Sequence, residues 1–215
     1  MDMAHVREGT RLLDLATGTG DLAFLASTPV GRTGLVVGLD ITQRMLELAA
    51  AKRKSGVPHF IRGDMLALPF PDASFDVITT GYGVRNVPDL GRALDEVARV
   101  VRPGGQFLSL DFDRPVHPVV RAVYLGYLTV IGSTLGLLLH GDPDTYRYIP
   151  ASLREYPGSE KVAHMLRLRG FKHTHVISVL GGLMAIHRAC KIDDQPALFE
   201  LRLARRSVSR RRADD

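Results

Sequence analysis

Cysteine is nearly absent from this sequence. Cys190 is the only one among 215 residues, so the chain cannot form an internal disulfide bond. The first residues, MDMAHVREGT, also lack the apolar core of a secretory signal peptide. We therefore expect a protein of the reducing cytoplasm.

Excess charge is missing from most of the chain. The formal net charge is +5, and the surplus comes from arginines near the C-terminus, namely Arg202, Arg205, Arg206, Arg210, Arg211 and Arg212. Because the remainder is nearly neutral, we expect no nucleic-acid partner. The basic tail, residues 192–215, is expected to be solvated or, with the leucines before its arginines, to contact anionic lipid.

The remaining composition is that of a globular protein, with 45% hydrophobic and 24% charged residues. The length suits one domain with a substantial core. We expect this domain to occupy residues 1–191, and residues 116–160 to form an insertion that covers the substrate. The sequence is compatible with an oligomer but does not define one.

Apolar runs of strand length alternate with helical patterns in the first half. Strands are predicted at Arg11–Leu15, Leu35–Leu39, His59–Arg62, Phe75–Thr80 and Gln106–Phe112. Helices are predicted at Asp21–Ser27, at Ile41–Lys54 with Ile41, Met45, Leu48 and Ala49 as its apolar face, and at Leu90–Val101, which Pro103-Gly104-Gly105 should end. The alternation predicts a parallel sheet with ligands at the carboxyl ends of its strands.

The second half reads differently. An apolar helix and an irregular segment rich in Tyr and Pro are predicted within 116–160, followed by a helix at Glu160–Gly170. Strands at Phe171–Leu180 and Leu183–Cys190 flank Gly181-Gly182 as a hairpin. The predicted fold is α/β and Rossmann-like, with a mostly parallel seven-stranded sheet and an antiparallel C-terminal hairpin strand.

A glycine-rich turn, Gly18-Thr19-Gly20, follows the first predicted strand and opens a helix. This pattern occurs where a backbone approaches a dinucleotide or another nucleoside cofactor. Asp14 and Asp21 flank the turn, and two carboxylates suit a cation better than a pyrophosphate. S-adenosylmethionine, which carries a sulfonium and an ammonium group, is therefore the favoured cofactor.

Further cofactor contacts are expected at the ends of the next strands. Asp40 can accept both ribose hydroxyls, or it can cap the helix that follows. Asp64 is placed to meet the adenine amino group, with Met65 as an apolar wall, or it is an ordinary turn residue. Gly81 would pass close to the methionine part of the cofactor.

The chain resembles the C-methyltransferases of quinone biosynthesis that act on demethylmenaquinone and on a ubiquinone precursor. The resemblance is carried by LLDLATGTGDLA, VVGLDITQRML, GDMLALPFPDASFDVITTGYGVRNVPDL, RVVRPGGQFLSLDF, GDPDTYRYIPASLREYP and GGLMAIHRACK. It implies methyl transfer from S-adenosylmethionine to a ring carbon of a prenylated hydroquinone, with cofactor contacts from Thr19, Asp40, Asp64, Met65 and Gly81.

The chain departs from the family pattern in three places. It begins almost at the first strand, where family members usually carry a further segment with a helix that covers the cofactor. The end of the fifth strand reads Leu110-Asp111-Phe112-Asp113 where many members have Glu-Phe-Ser. The arginine-rich tail is additional.

Carbon methylation of a hydroquinone requires loss of the neighbouring hydroxyl proton. Arg85 could stabilise the resulting phenolate, or it could pair with Asp89 or Asp111. The base stays open among a water held by Arg85 or Asn86 and the side chains of Asp113, Tyr82 and Tyr148.

Residues Ala122–Leu139 carry no charge and nominally reach the length of a membrane span. Glycines and hydroxyl residues dilute the apolar character, so a groove for the prenyl chain that leans on the inner face of the membrane is favoured over spanning. An ordinary buried helix is the alternative. His173 and His175 share the spacing of one strand face, but no third ligand is evident and we predict no metal site.

Two other functions are compatible with these residues. One is methylation of another small lipophilic phenol. The other is a non-catalytic, cofactor-binding subunit of a quinone-making complex.

Overall fold

Seven strands form a single sheet in the order β3-β2-β1-β4-β5-β7-β6. The computed structural model describes residues 2–53, 57–115, 117–142, 144, 146 and 148–193. The strands are β1 Arg11–Leu15, β2 Leu35–Asp40, β3 His59–Arg62, β4 Phe75–Gly81, β5 Val101–Phe112, β6 Phe171–Val179 and β7 Met184–Lys191. Strands β1 to β5 pair in parallel, whereas β7 runs antiparallel to both β5 and β6. The predicted fold class is confirmed.

Within the residues that the structure describes, six helices connect or follow these strands. They are α1 Asp21–Val30, α2 Gln43–Lys52, α3 Leu90–Val100, α4 Pro118–His140, α5 Tyr148–Glu155 and α6 Ser159–Leu168. Short 3-10 turns occur at Asp2–Ala4, Val84–Asn86 and Leu180–Gly182.

The core has two layers because successive strand residues face opposite sides of the sheet. Leu12 packs on one side with residues of α1 such as Ala23 and Ala26. Leu13 packs on the other side in the larger cluster, which includes residues of α3 and α6 such as Leu94. Because helices cover both faces of the sheet, successive residues of β1 and β2 are buried whichever side they face, as in other parallel sheets.

The apolar face predicted for the second helix is wrong. The helix runs only from Gln43 to Lys52 and buries Leu46 and Ala49, while Ile41, Met45 and Leu48 are exposed. Ala49 is buried as predicted, but Ile41 precedes the helix and the other buried residue, Leu46, lies one position after Met45, so the buried face is rotated by roughly a quarter turn from the predicted one.

The fifth strand begins earlier than predicted. Helix α3 passes directly into β5 at Val101, which pairs with Phe75, and the register shifts before Gln106. Pro103-Gly104-Gly105 therefore lies within an irregular strand and is not the signal that ends the helix. Proline and glycine are tolerated there because residues at an irregularity need not form the regular hydrogen bonds between strands.

The region predicted as an insertion contains two helices between β5 and α6. The segment predicted to be irregular forms α5. Pro150 lies in the first turn of this helix, where the backbone N–H groups have no partner within the helix, so a proline costs no hydrogen bond there. Helix α4 buries Tyr124, whose hydroxyl donates to the Leu183 carbonyl, and leaves most of its other apolar residues exposed. It is therefore not the ordinary buried helix of the alternative prediction.

The same-face interpretation of His173 and His175 is also wrong. A bulge between Lys172 and His175 shifts the β6 register, and His173 adopts a positive φ of 49°. An extra residue in a strand breaks the alternation on which the interpretation relied. The basic tail lies outside the described residues beyond Asp193.

Candidate functional site

A pocket of about 200 Å³ opens at the carboxyl ends of β1, β2, β3 and β4. Four residues predicted from the sequence line it, namely Asp40, Asp64, Met65 and Gly81. The other lining residues are Ala16, Leu39, Ile41, Gly63, Tyr82, Gly83, Asn86, Val87 and Pro88. The pocket lies where strand order reverses around β1, the place at which open α/β sheets bind their ligands.

Asp40 connects the two loops that frame this pocket. One carboxylate oxygen accepts a hydrogen bond of 2.8 Å from the Gly18 N–H, and the other accepts one of 2.8 Å from the Thr42 N–H. Thr42, rather than Asp40, is the N-cap of α2. An ionised carboxylate has about four acceptor sites, so Asp40 retains capacity for ligand hydroxyls.

The glycine-rich turn lies beside the pocket but does not line it. Gly18 reaches the pocket only through its bond to Asp40, and the Thr19 hydroxyl donates to Asp21 over 3.1 Å. Gly20 has φ of 83°, and a Cβ there would come within 2.8 Å of the Phe60 ring. Glycine at position 20 is therefore required by backbone conformation and packing.

The two acids near this turn have different surroundings. Asp14 is buried and accepts from the Thr17 hydroxyl at 2.6 Å and the Thr79 hydroxyl at 2.7 Å. Desolvation by burial raises the pKa of Asp14 to about 6. Asp21 is on the surface and pairs with Lys52 at 3.0 Å. Neither acid lines the pocket. Attraction of a cationic ligand therefore depends on the negative charges of Asp40 in the pocket wall and of Asp14 behind it.

The floor of the pocket comes from the segments after β3 and β4. Met65 is buried in the core cluster and lines the pocket; its contact with the adenine stays a prediction. Asp64 is exposed, and its carboxylate accepts from the Leu66 N–H at 2.8 Å, the bond expected of a turn residue. Gly81 ends β4, and a Cβ there would lie 3.2 Å from Leu22.

Arg85 lies beneath the pocket wall and forms an ion pair with Asp111. Their Nη1–Oδ1 distance is 2.5 Å, and the two side chains are 1% and 2% exposed. Burial raises the pKa of Asp111, and the Arg85 guanidinium counteracts part of that rise. Asp89 instead caps α3 by accepting from the Arg92 N–H. Of the two pairings weighed from the sequence, the structure shows the one with Asp111.

Two aromatic rings pack against the guanidinium of this ion pair. The Tyr82 and Phe112 rings pack with centroids 5.3 Å apart, and the Arg85 guanidinium carbon lies 4.9 Å from the Phe112 centroid. Tyr82 lines the pocket and has φ of 59°. A non-glycine residue held at positive φ is a strained feature that recurs at functional sites.

Sequence reasoning missed several residues of the site. Ala16 has φ of 50° directly after β1, and Gly83 is confined by neighbours, since a Cβ there would lie 2.5 Å from the Thr80 hydroxyl. Thr17 and Thr79, which hold Asp14, were also missed. Only Gly83 carried a sequence signal, because a glycine between Tyr82 and Val84 marks a close backbone approach.

Metal binding finds no support in the part of the chain that the structure describes. No group of three or more His, Cys, Asp or Glu side chains comes close enough there to hold an ion.

A Rossmann-like sheet with an antiparallel last strand, a glycine turn after β1 and an acid at the end of β2 defines a class I methyltransferase. Solved structures share this fold. A SAM-dependent methyltransferase from Aquifex aeolicus has a TM-score of 0.64 at 20% identity, over 89% of this chain and 87% of that one. An S-adenosylmethionine-dependent methyltransferase from Mesorhizobium loti has a TM-score of 0.63 at 19% identity, over 88% and 94%.

Closer relatives identify the family. The chain is 38% identical to the ubiquinone/menaquinone biosynthesis C-methyltransferase UbiE of Serratia proteamaculans, over 89% of this chain and 78% of that protein. The UbiE of an Escherichia coli strain is 37% identical over the same shares. Residues 1–191 match the ubiE/COQ5 methyltransferase family, and this chain belongs to it. The predicted class of enzyme, a C-methyltransferase that uses S-adenosylmethionine, is confirmed.

Proposed function

We propose that this enzyme transfers a methyl group from S-adenosylmethionine to a ring carbon of a prenylated hydroquinone, either demethylmenaquinol or a ubiquinol precursor. The observation that carries the proposal is the 38% identity, over 89% of the chain, to an enzyme named for C-methylation in ubiquinone and menaquinone biosynthesis. The aromatic pair beside the pocket and the apolar helix α4 support a flat, lipophilic acceptor.

The residues of the pocket fit the cofactor. Asp40 would accept from the ribose hydroxyls, and Asp64 at the rim would accept from the adenine amino group. Leu39 and Met65 would provide apolar contact for the adenine ring. Gly18 and Gly20 keep the turn in the conformation that gives Asp40 its Gly18 contact. When bound, S-adenosylmethionine supplies a methyl group activated by its sulfonium.

The acceptor ring is proposed to lie against Tyr82, between the pocket and the surface above Phe112. Tyr82 is the residue that both lines the pocket and packs on Phe112. An aromatic ring can orient a flat substrate by stacking. Orientation of this kind contributes several kcal/mol to bimolecular reactions.

The role of Arg85 in this proposal is to position Tyr82. Its buried side chain donates to the Tyr82 carbonyl at 3.4 Å and to the Ser152 hydroxyl at 3.2 Å, so it joins the pocket wall to α5. Asn86 also donates to the Tyr82 carbonyl, at 2.9 Å, and its exposed amide lines the pocket. A water bound to Asn86 would take the hydroxyl proton of the acceptor.

We further propose that the enzyme works in the cytoplasm as a peripheral protein at the inner face of the membrane. Helix α4 is long and apolar enough to cross a bilayer by length and composition. Tyr124 attaches it to the Leu183 carbonyl in the turn before β7. This attachment to the folded domain favours a helix that lies on the membrane surface.

The test is turnover. The purified chain is incubated with S-adenosylmethionine labelled in its methyl group and with short-prenyl forms of the naphthoquinol and the benzoquinol. The expected product carries the label as a methyl group on a ring carbon, identified by mass spectrometry and NMR. Label on an oxygen would favour another phenol methyltransferase, and no turnover with either ring would reject the proposed function.

A further inference from the structure

We propose that α4 and the cleft at its N-terminal end form one docking surface for a bilayer of anionic phospholipid, with the cleft holding a lipid phosphate. The inference deepens the proposed function, because a prenylated acceptor resides in the membrane. It is carried by two features that lie side by side, an exposed apolar helix face and a cationic cleft.

The exposed face of α4 is apolar over most of its length. Val119, Val123, Tyr127, Val130 and Leu138 recur at helical spacing, and Val123 and Leu138 are 68% and 74% exposed. The buried Tyr124 attaches the helix to the Leu183 carbonyl. The helix is about 35 Å long at 1.5 Å per residue. Its exposed apolar area is therefore larger than that of the single apolar residues scattered over an ordinary protein surface.

Charge is confined to one end of this face. Arg121 is the one Lys, Arg, Asp or Glu residue among the positions of α4. A cleft of about 310 Å³ adjoins it and is lined by Arg114, Arg121 and Lys161. Cations at one end of an apolar face are the arrangement that binds headgroups beside buried side chains.

The two carboxylates in the cleft do not cancel these cations. Asp113 accepts three internal hydrogen bonds, from the Ser159 N–H at 2.9 Å, from the Ser159 hydroxyl at 2.5 Å and from the Arg114 N–H at 2.7 Å. Glu160 is exposed at the rim. Three cations against two carboxylates leave the cleft positive.

Arg114 supplies an independent observation. Its Nε atom is buried and has no hydrogen-bond acceptor among the residues that the structure describes. A buried donor without an acceptor is costly and needs a partner. Arg114 lines the cleft, and a turn of its guanidinium toward a phosphate there would give this donor an acceptor, since planar guanidinium groups bind phosphate well.

The experiment is co-sedimentation of the full chain with vesicles of phosphatidylcholine, with and without phosphatidylglycerol. The parent should bind the anionic vesicles more tightly, and salt should weaken that binding. Arg121→Gln and Lys161→Gln should each reduce it on the order of fivefold. Lys172→Gln, on the edge strand β6, is the matched control and should change nothing. The basic tail is present in every variant, so these differences report the cleft.

The apolar half of the surface has its own test. A Val123→Glu/Val130→Glu variant should lose binding to both vesicle types, whereas Leu168→Glu, at an equally exposed leucine of α6, should retain it. Thermal melting checks that each variant folds. Equal binding by the glutamine variants and the parent would overturn the lipid-phosphate site, and a dimer that dissociates in the double variant would show that the face binds a second copy instead.

These results separate from those for the proposed function. Methylation of a short-chain quinol in vesicle-free solution without any vesicle binding would reject the docking surface and keep the reaction. Binding to anionic vesicles without methylation of either quinol would do the reverse.

Discussion

The Arg85 guanidinium and the Asp111 carboxylate form an ion pair that is enclosed by protein, with 2.5 Å between Nη1 and Oδ1. The pair joins the loop after β4 to the end of β5, and Arg85 also reaches Ser152 in α5. It therefore links the pocket wall to the helices that follow β5.

Breaking this pair from one side should be costly. We expect Asp111→Ala to lower the free energy of unfolding by about 3–5 kcal/mol, because it leaves a buried guanidinium without its counter-charge. Chemical denaturation measures the change. Glu47→Gln, which breaks the exposed Arg44–Glu47 pair, should cost less than about 1 kcal/mol. A loss of similar size in both variants would contradict the buried pairing, and an Arg85→Met/Asp111→Leu double variant should regain most of the loss.

Asp40 should control cofactor affinity. Asp40→Ala removes the carboxylate that we expect to accept from the ribose, and hydrogen bonds to charged groups contribute about 1.5–3 kcal/mol. The dissociation constant for S-adenosylmethionine should rise on the order of 10- to 100-fold, as measured by calorimetric titration. Asp72→Ala, at an exposed acid that pairs with Arg99, is the control. Unchanged affinity in a folded Asp40→Ala protein would rule out the ribose contact.

Asp14 should make stability depend on pH. Its pKa is about 6 in the folded protein against 3.8 for the free side chain, so the folded state holds this proton more tightly. Its contribution to stability is fully present below pH 3.8 and is lost as the pH rises to about 6. The total loss is roughly 3 kcal/mol, at 1.36 kcal/mol per unit of pKa.

The comparison with Asp14→Asn isolates this effect, because asparagine has nearly the same shape and does not titrate. The difference in unfolding free energy, parent minus variant, should fall between pH 4 and 6 and then stay constant. His187 does not disturb the comparison because it is present in both proteins. A difference that rises with pH would mean that Asp14 is held ionised in the folded state.

Gly83 should not tolerate a side chain. A Cβ at this position would lie 2.5 Å from the Thr80 hydroxyl and 2.8 Å from the Ala16 Cβ, so Gly83→Ala should lower the unfolding free energy by about 1–3 kcal/mol. Gly126→Ala is the opposite case, since nothing lies within 4 Å of its Cβ position in α4. That substitution should raise stability by roughly 0.5–1 kcal/mol. Equal effects at the two positions would contradict the packing around Gly83.

Much of the fold could be predicted from the sequence. The apolar runs of β1 to β4 and the glycines of the hairpin placed most strands within a residue or two, because burial on both faces of a sheet demands continuous apolar segments. The errors lie at Ile41, Pro103 and His173, where an element begins at a different residue from the one the local pattern suggests, or contains an extra residue. The local hydrophobic pattern does not specify where an element starts or which residue pairs with which.

The cofactor pocket could be predicted in part. Asp40, Asp64, Met65 and Gly81 all line the pocket, because each lies at or just after the end of a strand of a parallel sheet, and such strands end at a common edge. Ala16 was not identified, and Tyr82 was named only as a possible base, since their positive φ angles arise from the surrounding structure and not from their residue types.

The sequence by itself determined the α/β class, the glycine turn, the acid after β2 and the membership of a methyltransferase family, because these depend on residue types in chain order. Only the tertiary structure decided that Arg85 pairs with Asp111, that Asp21 pairs with Lys52, and that α4 exposes its apolar face beside a cationic cleft. Those outcomes depend on which side chains, distant in the sequence, come together when the chain folds. The surroundings that they form set the free energy of each charged or apolar group.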